Sequence, residues 1–267
     1  MNSNLRNGKT IGSFLAAKKI EVRKKQIAEL DKYVNERVKH NKKYIRFISY
    51  WGASDKKYPD KYDFDALLNL FGFLRVIEKH YKLDAQLTLI FTDTHAMLNG
   101  YKPEDYKSYF KGIRNVVNEF NYTHVLMSEV LMPFAKSHHL KDMNALINAI
   151  INENGSHNIP EFLKGRESFE LLKKSAGKHS YRYSNNQIFG DLRFNSTDES
   201  AYAYITMNQI EKQYVEKNFF QNVFLTYTSD EEKELIAPDL PSLQIYSFRK
   251  GIRSRPWFSN FNKEEQK

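Results

Sequence analysis

Three predicted strands each lead into side chains that can bind a substrate or move a proton. Apolar and β-branched residues predict strands at residues 44–48, 87–91 and 124–127. The candidate site residues follow them directly: Ser49, Trp51, Gly52, Ser54, Lys56 and Lys57 after the first strand, Asp93 and His95 after the second, and Glu129 after the third. Carboxylates bind amines, lysines attract anions, and an imidazole exchanges a proton near neutral pH. The set therefore predicts a site for a charged small molecule.

The segments between these strands must position the site. They show helical periodicity, and strands that alternate with helices are typical of a parallel sheet. We predict an α/β fold that is Rossmann-like and three-layered, with a mostly parallel sheet, helices on both faces and a helical insertion. Ligands bind outside the carboxyl ends of the strands in such sheets. Ser54, Asp93 and Glu129 are therefore expected to line one crevice.

Several of these residues also have a purely structural interpretation. Asp93 either meets a partner or ligand, or caps the turn that follows it. Trp51 either stacks on a substrate or packs in the core, whereas Gly52 permits the close approach of a substrate. The lysines either bind an anion or are simply solvated. For Asp93 and His95, a hydrogen-bonded turn is preferred over a shared divalent ion, so no metal site is predicted.

Composition indicates a folded protein. The chain has 267 residues, of which 41% are hydrophobic and 14% aromatic, enough for a substantial core. It has no cysteine, which removes disulfides and thiolate chemistry and favours a reducing, cytoplasmic setting. No apolar run is long enough to cross a bilayer. Lysines follow the apolar patch at residues 11–17, whereas a signal peptide has its charges first.

The positive charge is concentrated near the start of the chain. Residues 18–43 contain ten Lys or Arg against four Asp or Glu, within a net charge of +9. The apolar spacing predicts a helix that either packs, solvated, on the sheet edge or binds a phosphate-rich partner such as tRNA. We predict a single domain over residues 1–267, with a basic helical extension at 1–43 and a helical cap or insertion at 133–178.

Several common chemistries lack their sequence motifs. No Gly-x-Gly-x-x-Gly follows a strand, and no phosphate-binding loop ends in Gly-Lys-Ser/Thr. A Gly-x-Ser-x-Gly nucleophile elbow is also absent. These absences argue against dinucleotide-dependent enzymes, ordinary ATPases and serine hydrolases. The sequence predicts no cofactor.

Residues 45–109 resemble the pyoverdine/dityrosine-biosynthesis family of isonitrile (isocyanide) synthases. A strand opens into a loop that contains Ser54, Lys56 and Lys57, and Pro59-Asp60 then precedes a Leu-rich helix. The next strand ends in Thr92-Asp93-Thr94-His95, and Glu104-Asp105-Tyr106 follows. The family usually has glycine where this chain has Thr94.

The resemblance implies an enzyme that joins the amine of an amino acid to the carbonyl of a pentulose phosphate, after which eliminations leave an isonitrile carbon on nitrogen. It implies cations for the phosphate, here Lys56, Lys57 and Arg193. It also implies a carboxylate for the amine, Asp93 or Glu129, with His95 as general acid and base.

Two other functions remain open. The chain is also similar to the cyclodipeptide synthases, which use aminoacyl-tRNA; Ser49 or Ser54 is then the acyl acceptor and residues 18–43 meet tRNA. However, Asn208 stands four residues beyond Tyr204, where that family has glutamate. The third candidate is a non-catalytic nucleic-acid-binding α/β module.

Overall fold

The computed structural model describes residues 24–52, 57–154, 197–226 and 238–244. Of the predicted site residues, Ser54, Lys56 and Arg193 lie outside these ranges. The first half of the described chain consists of α1 (Lys24–Lys39), β1 (Tyr44–Gly52), α2 (Lys61–Tyr81), β2 (Asp84–Thr92), α3 (Asp93–Leu98), α4 (Pro103–Glu119) and β3 (Thr123–Leu126). The second half consists of α5 (Met127–Ser137), α6 (Met143–Asn154), α7 (Thr197–Phe219), β4 (Val223–Thr226) and β5 (Ser242–Gln244).

The five described strands form one parallel sheet in the order β3-β2-β1-β4-β5. β1 pairs with β2 along its whole length, from Tyr44 opposite Asp84 to Gly52 opposite Thr92. β4 pairs with the other side of β1. The chain therefore adds β2 and β3 on one side of β1, and then β4 and β5 on the opposite side. This arrangement confirms the predicted Rossmann-like α/β fold.

Helices cover both faces of the sheet, as predicted. Alternate strand residues point to opposite faces, and β2 shows this: Leu89 and Phe91 belong to one core cluster and Ile90 to the other. The first cluster includes side chains of α1, α2 and α4. The second includes side chains of α5, α6 and α7. The two faces are therefore two separate apolar layers with the sheet between them.

The first strand is longer than predicted. It continues through Ser49 and Trp51 to Gly52, where the sequence suggested a polar loop after residue 48. β1 is paired on both sides, so its backbone groups are satisfied within the sheet. The Ser49 hydroxyl donates to the carbonyl oxygen of Leu225 at 3.0 Å. A serine is therefore accommodated inside this central strand.

Local signals explain where the helices begin. Asp60 is the N-cap of α2: its carboxylate accepts hydrogen bonds from the backbone N–H groups of Tyr62 and Asp63. The Asp63 carboxylate in turn accepts a hydrogen bond from the backbone N–H of Asp60, which completes a capping box. Pro103 begins α4, where its missing N–H costs nothing.

The predicted helical cap at residues 133–178 is only partly described. Its first part lies in α5 and α6, whose apolar side chains pack in the second core cluster. The insertion as a whole, and the single domain over residues 1–267, stay predictions. Within the described ranges, no helix combines the length and the apolar character that spanning a membrane requires.

Candidate active site

Asp93 lies at the carboxyl edge of the sheet, directly after β2. Its side chain is only 5% exposed. Its two carboxylate oxygens accept hydrogen bonds from Ser128, one from the backbone N–H at 2.9 Å and one from the hydroxyl at 2.5 Å. Burial raises the pKa of Asp93 above its ordinary value, and the two bonds from Ser128 oppose that rise because they stabilise the ionised form.

The strand register explains this contact. Phe91 of β2 pairs with Leu126 of β3. Asp93 and Ser128 each follow two residues later, so they lie beside each other. Ser128 was not predicted as a site residue, although it follows the third strand directly. Its N–H and its hydroxyl hold Asp93 through one hydrogen bond to each carboxylate oxygen.

A cavity of about 410 Å³ opens between Asp93, the end of β3 and α4. Its described lining residues are Asp93, Tyr106, Lys107, Phe110, Lys111, Arg114, Asn115 and Leu126. The volume suits a small ligand. One buried carboxylate thus shares a cavity with three cationic side chains, an arrangement that accepts a ligand with an amine at one end and an anion at the other.

A buried hydrogen-bond chain holds α4 against the sheet beside this cavity. The indole N–H of Trp51 donates to the Tyr109 hydroxyl at 3.2 Å, and that hydroxyl donates to Asp63 at 2.9 Å. Trp51 is 7% exposed and belongs to the first core cluster. This geometry fits the interpretation of Trp51 as a residue that packs in the core. Burial, followed by the charge of Asp63, raises the pKa of Tyr109 far above its ordinary value, so the hydroxyl keeps its proton.

His95 is not among the described lining residues of the cavity, and it pairs with a residue that sequence reasoning missed. Its Nε2 lies 2.9 Å from Glu211 of α7, whose other carboxylate oxygen accepts a hydrogen bond from the Thr94 hydroxyl at 2.6 Å. Glu211 is 1% exposed. Burial lowers the pKa of His95, but the charge and hydrogen bond of Glu211 outweigh it, and the net direction is a raised pKa.

The other predicted residues occupy different positions. Ser49 has no exposed surface, since its side chain is enclosed in the sheet. Glu129 is exposed on α5, where its carboxylate accepts from the Leu126 N–H at 3.2 Å, and it is not one of the described lining residues. The structure thus brings Asp93 together with Ser128 rather than with Glu129.

Gly52 and Lys57 are the described residues on either side of the segment 53–56. Gly52 is exposed at the end of β1, and a side chain added there would meet only Thr92, at 3.8 Å. Lys57 is 51% exposed and lies 4.0 Å from Asp105 at the start of α4. This pair places the lysine near the helix that lines the cavity.

Part of the basic N-terminal segment packs on the protein. Leu30 and Val34 of α1 are buried in the first core cluster. Arg37 is 8% exposed, and its guanidinium lies 5.2 Å from the ring centroid of Tyr44. This supports packing on the sheet for α1. Binding of tRNA by residues 18–43 stays a prediction.

The described residues contain no group of three or more His, Cys, Asp or Glu side chains placed to hold a metal ion. Asp93 and His95 lie in the same short helix, and their side chains make separate hydrogen bonds. Asp93 binds Ser128 and His95 binds Glu211. Their arrangement is that of hydrogen-bonded side chains at the start of a helix.

Comparison with known proteins identifies the architecture. No protein-family model matches the chain, and no curated protein matches it. The solved structure of PvcA from Pseudomonas aeruginosa is similar, with a TM-score of 0.57 and 14% identity over 87% of this chain and 79% of PvcA. The two proteins share a fold.

Two further solved structures show weaker likeness. Tyrosyl-tRNA synthetase from Archaeoglobus fulgidus, complexed with L-tyrosine, is 13% identical over 88% of this chain and 67% of its own, with a TM-score of 0.43. A cyclodipeptide synthase from Candidatus Glomeribacter gigasporarum, bound to Phe-tRNAPhe, is 11% identical over 80% of this chain and 91% of its own, with a TM-score of 0.40. Neither score bears on the function of this chain.

Proposed function

We propose that the protein is a biosynthetic enzyme that condenses the amine of an amino acid with the carbonyl of a pentulose phosphate, as an enzyme of the isonitrile-synthase type. The observation that carries this proposal is the cavity in which buried Asp93 lies with cationic side chains of α4. Both substrates are thereby matched: a carboxylate suits the amine, and cations suit the phosphate.

Asp93 has the properties of the group that binds and deprotonates the amine. An amino acid carries an ammonium group at neutral pH, and the amine attacks a carbonyl only after losing a proton. The raised pKa of Asp93 makes it a stronger base than an ordinary carboxylate. Ser128 holds the carboxylate in place during the transfer.

The first chemical step is then the formation of an imine. The amine nitrogen forms a bond to the carbonyl carbon as the C=O π bond breaks, and the surplus proton on nitrogen passes to the oxygen to give a neutral carbinolamine. That hydroxyl leaves as water when a second proton is delivered, and the nitrogen lone pair forms the C=N bond. Asp93 can return the proton that it accepted, since it lines the cavity where the reaction occurs. The later eliminations follow from the family resemblance.

Other predicted residues keep the roles that the resemblance implies. Lys57 lies 4.0 Å from Asp105 at the start of α4, and Lys57, Ser54 and Lys56 stay proposed substrate-binding residues. His95 stays a proposed general acid and base, and Glu129 stays a proposed carboxylate for the amine; neither is among the described lining residues of the cavity. Arg193 stays a proposed phosphate ligand.

The test is product formation from defined substrates. The full chain is incubated with each amino acid and with ribulose 5-phosphate or xylulose 5-phosphate, and new product masses are recorded. We expect a product with one amino acid, and Asp93→Asn should reduce its rate at least about a hundredfold, because it removes a general base. Asp65→Asn is the control, since Asp65 is a partly exposed carboxylate on α2 that pairs with Lys61. Normal rates in Asp93→Asn, or no product from any combination, would contradict the proposal.

A further inference from the structure

We propose that a basic row on α4, formed by Lys107, Lys111 and Arg114, binds the phosphate monoester of a small sugar phosphate. The inference rests on the proposed function for the identity of the sugar. It differs from the sequence-based prediction, which placed the phosphate at Lys56, Lys57 and Arg193. The three residues of the basic row all line the cavity that contains Asp93.

The helix itself brings the three cations together. Lys111 follows Lys107 by four residues, and Arg114 follows Lys111 by three. Side chains at these spacings lie on one face of a helix, one turn apart. The buried face of α4, with Tyr106 and Phe110, also reaches the cavity and forms its apolar wall. The basic row therefore runs along the rim of a concave surface and does not point away from it.

The positive charge of the row has no neutralising partner among the described residues. None of the three cations forms an ion pair within the described ranges. Asp93 is the one acidic residue among the described lining residues, so the cavity has an excess of positive charge. An excess of this sign in a concave site concentrates anions.

Arg114 gives the most specific indication of a missing acceptor. Its Nε is buried and has no hydrogen-bond partner among the described residues. A buried guanidinium nitrogen without an acceptor is costly to maintain. The planar guanidinium matches a phosphate through two parallel N–H donors. A phosphate oxygen in the cavity would supply the acceptor that Nε lacks.

His124 helps to fix where the charge lies. Its ring stacks on Phe91 with centroids 5.5 Å apart. Burial, followed by the charge of Arg114, lowers the pKa of His124, so the imidazole is neutral at physiological pH. Of these two neighbouring side chains, Arg114 lines the cavity and carries the positive charge.

The dimensions favour a small phosphate monoester over a nucleic acid. The cavity holds about 410 Å³, which is the size of a small-ligand site. A nucleic acid would need an extended basic surface that follows its backbone. With the phosphate on the basic row, the rest of a sugar phosphate extends along the cavity towards Asp93, where the amine is proposed to bind.

The test measures binding by isothermal titration calorimetry on the full chain. The probes are ribulose 5-phosphate, unphosphorylated ribulose and inorganic phosphate, each titrated into the wild type, Lys111→Gln and Arg114→Gln. Glutamine keeps the helix propensity and a polar, hydrogen-bonding side chain while removing the charge. Lys102→Gln is the matched control, because Lys102 is an exposed lysine directly before α4 that does not line the described cavity.

We expect ribulose 5-phosphate to bind more tightly than ribulose or inorganic phosphate. Each variant of the basic row should weaken its binding by at least about tenfold, the effect of one charge-assisted contact, whereas ribulose affinity and Lys102→Gln should be unchanged. Three results would overturn the inference: no preference for the phosphorylated sugar, an equal loss in Lys102→Gln, or unchanged sugar phosphate affinity in Lys111→Gln and Arg114→Gln.

The binding result and the turnover result are separable. If the basic row binds ribulose 5-phosphate as expected but no amino acid gives a product, the proposed function fails and the phosphate site stands. If Lys111→Gln and Arg114→Gln form product at the wild-type rate and bind ribulose 5-phosphate with wild-type affinity, the phosphate site fails and the proposed function stands.

Discussion

The carboxylate of Asp93, at the end of β2, is held by both the backbone N–H and the hydroxyl of Ser128, at the start of the helix that follows β3. The two residues are 35 positions apart in the chain and meet because their strands are parallel and in register. This contact fixes a buried carboxylate at the wall of a cavity.

Replacing Ser128 by alanine should therefore destabilise the protein and alter Asp93. The hydroxyl bond at 2.5 Å is lost while the backbone bond remains. We expect the free energy of unfolding in urea to fall by about 1.5–3 kcal/mol, the usual range for a hydrogen bond to a charged group. The pKa of Asp93, followed by NMR, should rise further, since the lost bond stabilised the ionised form.

Ser137→Ala is the matched control for this change. Ser137 lies in the same helix, and its hydroxyl donates to the neutral carbonyl of Phe134 at 2.8 Å. Its loss should cost only about 0.5–1.5 kcal/mol and leave the pKa of Asp93 unchanged. An equal effect of both substitutions on Asp93 would show that the Ser128 hydroxyl is not what stabilises the carboxylate.

The raised pKa of Asp93 predicts a specific dependence of stability on pH. Between the ordinary carboxyl value of 3.8 and the higher folded value, the folded protein keeps a proton that the unfolded chain has released. Stability then falls as the pH rises through this window. Asp93→Asn removes this titration. The free energy of unfolding of the variant, minus that of the wild type, should therefore increase from about pH 4 upward and level off above the folded pKa of Asp93. A difference that stays constant or decreases with pH would refute the prediction.

Glu211 should control the protonation of His95. Its carboxylate, 2.9 Å from the imidazole, is the main cause that raises the pKa of His95 against the opposing effect of burial. Glu211→Gln should lower that pKa, as measured by NMR titration of the imidazole. Glu216→Gln is the control on the same helix, since the Glu216 carboxylate accepts from the Asp239 N–H and is not among the groups that raise the pKa of His95.

The same pair predicts how stability responds near neutral pH. Because the folded pKa of His95 is raised above 6.5, the stabilisation that the charged pair provides is complete below 6.5 and is lost as the pH rises through the folded value. Glu211→Gln should flatten or reverse this slope in urea denaturation measured from pH 6 to pH 9. An unchanged slope would mean that the pair is not charged in the folded protein.

Much of the fold is readable from the sequence because it depends on local patterns. The apolar runs before Asp93 and Glu129, with helical periodicity between them, predicted parallel strands whose carboxyl ends carry polar residues. The predicted end of β1 at residue 48 was wrong, because Ser49 and Gly52 taken alone are typical of a turn. Only pairing on both sides by β2 and β4 makes a serine acceptable inside that strand.

The site was less predictable because its contacts join distant segments. Asp93 was found from its position after a strand, but its contact with Ser128 depends on the register of β2 and β3, which no local pattern encodes. His95 and Glu211 are 116 positions apart. The basic row on α4 did have a readable signal, the spacing of Lys107, Lys111 and Arg114 on one helical face. The spacing does not show that a cavity lies beside this helical face.

The packing of Gly112 makes the position of α4, and with it the basic row, sensitive to a single methyl group. A Cβ added to Gly112 would lie 2.7 Å from both Cγ and Cδ of Pro59, whereas a Cβ on Gly72, within α2, would meet nothing within 4 Å. Gly72→Ala should therefore stabilise the protein by about 0.5–1 kcal/mol through helix propensity. Gly112→Ala should destabilise it by about 1–3 kcal/mol, since the overlap with a rigid ring outweighs the same gain. Urea denaturation of both variants tests this opposition of sign. If Gly112→Ala is as stable as Gly72→Ala, then α4 is free to shift away from Pro59, and the phosphate affinity of the basic row should be measured in that variant to see whether the site moves with the helix.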